Sequence, residues 1–329
     1  MAQTTFKRNA HASFFTLCLR ALPARAQDYD SNRVTIAFFC LSGLALIGKL
    51  NPSDEERDAW IEWLWSLQAP DGGFRGSTGE PAGTPGNLPS TYTALASLAL
   101  LRAPLDRLDR PGLHAFLAAC QAPDGSFSPT PDTLGLFQND VRMAYTASLA
   151  AKVAGGTPSF DVPAAIEFVR RCETWEGGYA GRPGIESHGG TNYCALAALS
   201  LLGALDKADV AGSSRWLMQR QIGGFQGRPG KLEDVCYSFW CGGALATLGL
   251  ASLVNEEPNA QFLLDSQSPI GGFGKEPDVH PDPFHSYLAI AALSLTSARE
   301  KLELEEIDPV YNMPLWARDW LLAAAEAAA

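Results

Sequence analysis

Gln68-Ala-Pro-Asp-Gly-Gly-Phe74 is the first of five related stretches. It returns as Gln121-Ala-Pro-Asp-Gly-Ser-Phe127, Glu173-Thr-Trp-Glu-Gly-Gly-Tyr179, Gln219-Arg-Gln-Ile-Gly-Gly-Phe225 and Gln267-Ser-Pro-Ile-Gly-Gly-Phe273, with the closing aromatics 46 to 53 residues apart. A recurrence of that length marks a repeat architecture. Gly-Gly before an aromatic gives a tight turn with positive φ and lets the ring pin the loop to a core. Each signature follows an amphipathic helix, over Asp54 to Leu67, Pro111 to Cys120, Val162 to Cys172, Val210 to Arg220 and Asn259 to Ser266. Each precedes a more uniformly apolar helix beginning near Thr91, Ala144, Asn192, Ser238 or Ser286, just before Tyr92, Tyr145, Tyr193, Phe239 or Tyr287. The stretch Val34 to Ile47, capped by Asn32, adds a sixth apolar helix. All-round apolarity places this set inside and the charged set outside. Hairpins of near-constant length stack as an open solenoid or close on themselves. Apolar inner helices, no polar capping repeat and an inner ring of aromatics that would line a central cavity favour closure. The expected fold is all-α, a closed α–α barrel (an α6–α6 toroid) with minimal β content.

The remaining sequence fits one such body. The 329 residues, 46% hydrophobic, can bury a large core. Residues 1–30 carry a helical pattern, Phe14, Phe15, Leu17, Cys18, Leu19 and Leu22, ending before Pro23; they read as an N-terminal arm on a single barrel domain over 31–329. The net charge of −11 argues against a nucleic-acid or anionic-membrane surface. Seven cysteines, an odd number dispersed through apolar segments, form no disulfide framework and suit a reducing, cytoplasmic compartment. The start Met-Ala-Gln-Thr-Thr-Phe-Lys-Arg has no signal-peptide pattern, and the uncharged run Val34 to Gly48 is too short to span a bilayer. Gly76 to Ser90 reads as a surface loop, Glu300 to Glu306 as acidic and helical, and Pro314 to Ala329 as a final helix.

The densest chemistry lies in Gly224-Phe-Gln-Gly-Arg-Pro-Gly-Lys-Leu-Glu-Asp-Val-Cys-Tyr-Ser-Phe-Trp-Cys-Gly242. Residues at i and i+2 do not share a helix face, so Asp234 and Cys236 reach one ion only where the chain enters a helix. A hard oxygen beside a soft thiolate suits Zn²⁺, which then needs a histidine. His285 offers it, in a first helical turn where Asp282 caps and Pro283 opens the helix. Taken singly, Asp234 is also readable as a cap, Cys236 as a small buried residue and His285 as a helix-start histidine. Their equivalent places in two repeats favour metal. Every inner helix starts after a signature loop, so all six N-termini face one end and favour anions there. Arg228, Lys231, His188 and Lys275 belong to that same end.

The set Ser31-Asn-Arg-Val-Thr-Ile-Ala-Phe-Phe39, Asn139-Asp-Val-Arg142, Glu186-Ser-His-Gly-Gly190, Gly227-Arg-Pro-Gly-Lys231, Asp234-Val-Cys-Tyr-Ser-Phe-Trp240 and Pro281-Asp-Pro-Phe-His285, in this order, resembles the beta subunits of protein prenyltransferases, most of all those of geranylgeranyltransferase type I. The resemblance implies zinc held by Asp234, Cys236 and His285, with its fourth position left for a substrate cysteine. It assigns His188, Arg228, Lys231 and Tyr237 to an isoprenoid diphosphate, and to Lys275 the place where farnesyltransferases carry a carboxylate associated with Mg²⁺, so no Mg²⁺ requirement is expected. Thr35 matches the tryptophan with which farnesyltransferases close the bottom of the lipid pocket, which implies geranylgeranyl diphosphate as donor. The implied acceptors are CaaX proteins such as small GTPases, with X mainly Leu. Arg142 matches a position near the peptide carboxyl end and Phe39 one near its penultimate residue, while Met143 departs from the family's usual aromatic and puts selectivity for X in doubt. A helical alpha subunit is the implied partner. Farnesyltransferase and Rab-specific type II beta subunits are the nearest alternatives. A terpene cyclase would need an Asp-x-Asp-Asp cluster, which the sequence lacks, and a non-catalytic scaffold would not need the zinc and cation set.

Overall fold

Apolar and amphipathic segments alternate along the chain, and in the computed structural model, which describes residues 5–22, 24–134 and 139–327, they alternate as inner and outer helices. The helices are α1 (Arg8–Arg20), α2 (Arg33–Leu46), α3 (Asp54–Ser66), α4 (Leu88–Leu100), α5 (Arg110–Ala119), α6 (Val141–Ala154), α7 (Val162–Arg171), α8 (Gly189–Leu201), α9 (Val210–Met218), α10 (Val235–Thr247), α11 (Glu256–Asp265), α12 (Pro283–Ser294), α13 (Ala298–Lys301) and α14 (Leu315–Glu326). The start Met1 to Thr4, the stop at Pro23 and the end of the alanine tail lie outside the described residues.

The even-numbered helices α2 to α12 form the inner ring. Each packs on the next, and α12 packs on α2, so the barrel is closed. Successive inner helices are also tied at their N-termini. The second N–H of α2 and the first of α4, α6, α8 and α10 donate to the carbonyls of Gly76, Pro129, Gly181, Gly227 and Lys275, respectively, in the next repeat's loop. The sixth, α12, starts at Pro283, which has no N–H to satisfy.

The 1–30 segment supplies the sixth outer helix. In two repeats a signature glutamine clips the residue at the N-cap position of the next outer helix: Gln121 bonds both backbone groups of Asp161 before α7, and Gln221, rather than Gln219 at the head of the fourth signature, bonds those of Asn255 before α11. Gln267 accepts in the same way from the N–H of Lys7, the cap residue of α1, at 3.0 Å. Gly271, at φ +95°, lies so close to α1 that a Cβ there would stand 2.1 Å from the Ala10 carbonyl. His11 fills the seam, buried against Phe273 at 4.7 Å between ring centroids.

The C-terminal hairpin, β1 (Ile307–Asp308) paired with β2 (Met313–Pro314), enters from the opposite end, where the N–H of Glu305 bonds the carbonyl of Leu46 at the close of α2. Its turn reaches the aromatic ring and changes what that ring does. Tyr92, Tyr145, Tyr193, Phe239 and Tyr287 were expected to line a central cavity, but all are buried, and with Phe38 of α2 they form a series with neighbouring centroids 5.3 to 5.7 Å apart from Tyr287 through Phe38 to Phe239. The hydroxyls of Tyr92, Tyr145 and Tyr287 donate to the carbonyls of Tyr311, Val310 and Asn312. An unpaired phenol in an apolar core costs free energy, and the turn supplies the acceptors.

Two local expectations fail. Asn32 makes no side-chain cap to α2. The acidic run 300–306 is not a helix, because α13 ends at Lys301 and Glu303 turns to φ +48°.

Candidate metal and anion site

The reactive side chains all stand at inner-helix N-termini. His188, Asp234 and Asp282 are the N-caps of α8, α10 and α12, and each accepts a hydrogen bond from a first-turn N–H. Capping satisfies donors the helix cannot, and it fixes the backbone from which Cys236, Tyr237 and His285 project.

One ligand atom each from Asp234, Cys236 and His285 lies within 4.8 Å of the other two. Asp234 caps and faces the group at once: its Oδ1 accepts from the Cys236 N–H at 3.0 Å and lies 3.4 Å from His285 Nε2. On the far side, Asp282 Oδ1 accepts from the His285 N–H at 2.9 Å while its Oδ2 takes Nδ1 at 2.6 Å. That bond holds the proton on Nδ1 and turns Nε2 toward Asp234 and Cys236, where a bound cation would take the place of the Nε2 proton. Burial works against the charged imidazole, but hydrogen bonds to Asp234 and Asp282 outweigh it and push its pKa up from 6.5 to about 9. Burial also opposes the Asp234 carboxylate, yet bonds to His285 and Cys236 hold its pKa below the usual value. Burial, then the Asp234 charge, pushes the Cys236 thiol up. A buried carboxylate and thiol beside an imidazole that draws a positive charge form a donor set that fits a divalent cation, and zinc suits this O, S, N combination.

Next to it, His188 Nε2 and the Tyr237 hydroxyl are 2.9 Å apart. Because Nδ1 accepts from the Gly190 N–H, the neutral ring carries its proton on Nε2 and donates it to Tyr237. Burial, with the charges of Arg228 and Arg142, lowers the His188 pKa and keeps it in that form. The Tyr237 proton is then free to point at a ligand, and burial raises its pKa, so it stays a donor. The Tyr237 ring lies against Gly227, where a Cβ would come within 2.3 Å of it.

Arg228 is half exposed and bonds Glu186 at 2.9 Å. Lys231 and Lys275 are exposed at the same rim, and the carbonyl of Lys275 receives the first N–H of α10. Glu233 serves the loop instead, accepting from the N–H groups of Gly223 and Gly224. Arg142 holds Asp140 through two nitrogens, at 2.8 and 3.2 Å. Thr35, Phe39 and Met143 are half buried in the first two turns of their helices. In the ring order α2 lies three helices from α8, on the opposite wall, and there the Thr35 hydroxyl meets that of Thr93 on α4 at 3.3 Å.

Sequence reasoning missed two groups. Asp282 was read only as a cap, although its spacing of three from His285 signals a second bond. Phe284 and Trp240, with centroids 6.4 Å apart, continue from Phe39 (5.5 Å from Phe284) as a half-buried aromatic wall beside His285.

The family described as the prenyltransferase alpha-alpha toroid domain matches residues 6–313. The chain is 32% identical over 345 residues to the geranylgeranyl transferase type-1 subunit beta of Arabidopsis thaliana, covering 95% of this chain and 90% of that one. It is 33% identical over 310 residues to the protein farnesyltransferase subunit beta of Schizosaccharomyces pombe, covering 88% and 78%. Among solved structures, Candida albicans protein geranylgeranyltransferase-I complexed with GGPP superposes with a TM-score of 0.89 at 31% identity, covering 98% of this chain and 99% of that one. The type II terpene cyclase MstE from Scytonema, at 15% identity and a TM-score of 0.57, shares the fold. No helix among the described residues is long and apolar enough to cross a membrane. With the toroid match running almost from end to end, the chain belongs to the prenyltransferase family and, within it, to the beta subunits of protein prenyltransferases.

Proposed function

We propose that this chain is the beta subunit of a heterodimeric, zinc-dependent type I enzyme that moves a geranylgeranyl group from geranylgeranyl diphosphate to the cysteine of proteins ending in Cys-a-a-X, X mainly Leu. The observation that carries the proposal is the convergence of the Asp234, Cys236 and His285 donor atoms within 4.8 Å on the rim that holds the His188–Tyr237 pair. In the reaction the carbon–oxygen bond at C1 of the lipid breaks, a sulfur–carbon bond forms and diphosphate leaves. Zinc at Asp234, Cys236 and His285 supplies the positive charge that keeps a substrate thiol deprotonated at neutral pH.

The chain's own groups attend to the leaving anion. The free Tyr237 proton, the Arg228 guanidinium, and the Lys231 and Lys275 ammonium groups meet charge that grows as C1–O breaks, where one fixed donor is worth roughly 10²–10³ in rate. Glu186 holds Arg228 until the diphosphate competes for it. A lysine at 275 carries its own positive charge, so Mg²⁺ is not required. Thr35, small and already paired with Thr93, leaves the far wall open to the longer lipid.

The test is prenyl transfer by the chain co-purified with an alpha subunit, offering twenty- and fifteen-carbon diphosphates against peptides ending in Cys-a-a-Leu and Cys-a-a-Ser, with zinc and without magnesium. Preference for the twenty-carbon donor and the Leu peptide is expected. A farnesyl preference or a strict magnesium requirement would assign the chain to the farnesyltransferases instead.

A further inference from the structure

The seam that closes the barrel holds two thiols that the prenyl-transfer site does not use. Consecutive and antiparallel, α1 and α2 cross closely where Phe15 packs on Gly43, so closely that a Cβ on Gly43 would fall 2.4 Å from the Phe15 ring. One step of three residues along each helix, in opposite directions, stays on the facing surfaces. It leads from Phe15 to Cys18 and from Gly43 to Cys40, which sets the two thiols side by side across the crossing, near enough for each to shift the other's ionisation. Their surroundings differ. Cys40 is wholly buried, whereas Cys18 is half buried and lines an open groove of about 250 Å³ between α1, α2 and α3, with Leu19, Ile36, Trp60 and Trp63 among its walls.

We infer that Cys18 and Cys40 form a thiol–disulfide site, in which a low-molecular-weight disulfide reaching the groove is attacked by Cys18 and the mixed disulfide is resolved by Cys40, cross-linking α1 to α2. Cys18 opens on the groove and Cys40 does not; the neighbouring Cys40 thiol also lowers the Cys18 pKa against the effect of burial, while burial raises that of Cys40. That asymmetry sets the order of events, because the thiolate is the nucleophile.

With oxidised glutathione as the oxidant, the Cys18 thiolate attacks one sulfur of its disulfide and the other glutathione leaves as a thiolate. The Cys40 sulfur then attacks Cys18 of the mixed disulfide. The second glutathione departs and takes the Cys40 proton. Two protein thiols are oxidised, one glutathione disulfide is reduced to two thiols, and nothing else is consumed. Burial of Cys40 makes the second step the slower one. The product closes a short loop at the one seam where the first and last repeats meet.

The full-length chain is incubated with oxidised glutathione at pH 8, quenched with acid, alkylated and mapped after trypsin without reduction. The expected product is the peptide 9–20 joined to the peptide 34–49, each carrying one cysteine. Its formation should raise the thermal midpoint by about 3–5 °C relative to the reduced chain. Cys40→Ala should stop at one glutathione on Cys18 with no such rise, and Cys18→Ser should leave Cys40 unmodified. The inference is overturned if the glutathione on Cys18 of the parent chain never converts to the Cys18–Cys40 cross-link, if Cys18 reacts no faster than the buried cysteines, or if Cys18 pairs with a cysteine other than Cys40.

Discussion

Closure of the barrel through His11 makes its stability depend on pH in a way a single substitution can isolate. His11 is fully buried; its Nδ1 accepts from the Gly272 N–H at 2.9 Å, and its Nε2–H donates to Gln267 at 3.0 Å. The first bond requires the neutral ring, since a protonated Nδ1 cannot accept; the second survives in either form. Burial lowers its pKa from 6.5 to about 4, against the hydrogen bond to Gln267. The unfolded chain therefore binds a proton between these values that the folded chain refuses. This contribution is complete above pH 6.5 and is lost as pH falls toward 4. Applying linkage to the two pKa values, a change from pH 7 to pH 5 removes about 2 kcal/mol. His11→Asn keeps an acceptor near Gly272 but does not titrate. It should cost about 1–3 kcal/mol at pH 7 through the lost Gln267 bond, yet lose about 2 kcal/mol less than the parent between pH 7 and 5. Urea unfolding followed by tryptophan fluorescence at both pH values measures the difference, and the opposite titration of His285, present in both proteins, cancels. Equal losses in parent and variant would refute the neutral-His11 seam.

Asp282→Asn cannot hold the His285 proton on Nδ1 as a carboxylate does, and zinc affinity measured by competition with a chromophoric chelator should fall about 10–100-fold; unchanged affinity would remove Asp282 from the site. Asp234→Asn and Asp234→Ala separate two roles of one side chain. Both should weaken zinc binding, but only Ala should also lose about 1 kcal/mol of folding stability, because Asn caps as well as Asp; equal stabilities would mean that the cap contributes nothing. Thr35→Trp fills the wall opposite the anion rim, and since five buried carbons are worth roughly 4 kcal/mol, the twenty- over fifteen-carbon preference should fall by up to about three orders of magnitude; an unchanged ratio in donor competition would move the length reader elsewhere. Tyr237→Phe should slow single-turnover transfer by about 10²-fold while leaving lipid affinity nearly unchanged, and an equal loss in both would make Tyr237 a ground-state contact.

The barrel was legible because its loops repeat their chemistry. Gly-Gly-aromatic turns read as boundaries, and the segments between them divide by apolarity into the two rings that the structure contains. The place of α1 was not legible, although its apolar pattern was. Its clip, Gln267, is 260 residues away in sequence, and a linear reading gives a first helix no preceding loop to pack against. The hairpin turn at 310–312 was equally hidden, since it has no period and its purpose, accepting three tyrosine hydroxyls, appears only when the inner ring has closed.

The site was legible in outline for a related reason: its residues are variations on one structural position. Asn87, Asp140, His188, Asp234 and Asp282 all cap inner helices with a side-chain acceptor. A sequence shows that each can cap, and so it offers capping and metal binding as rival explanations of Asp234. In three dimensions they are not rivals. Capping takes Oδ1 of Asp282 to a backbone donor and leaves Oδ2 for His285 Nδ1, while Oδ1 of Asp234 accepts from the Cys236 N–H and still lies 3.4 Å from His285 Nε2. The same bonds that start α10 and α12 therefore aim Cys236 and His285, and the rigidity of the site is the rigidity of two helix N-termini.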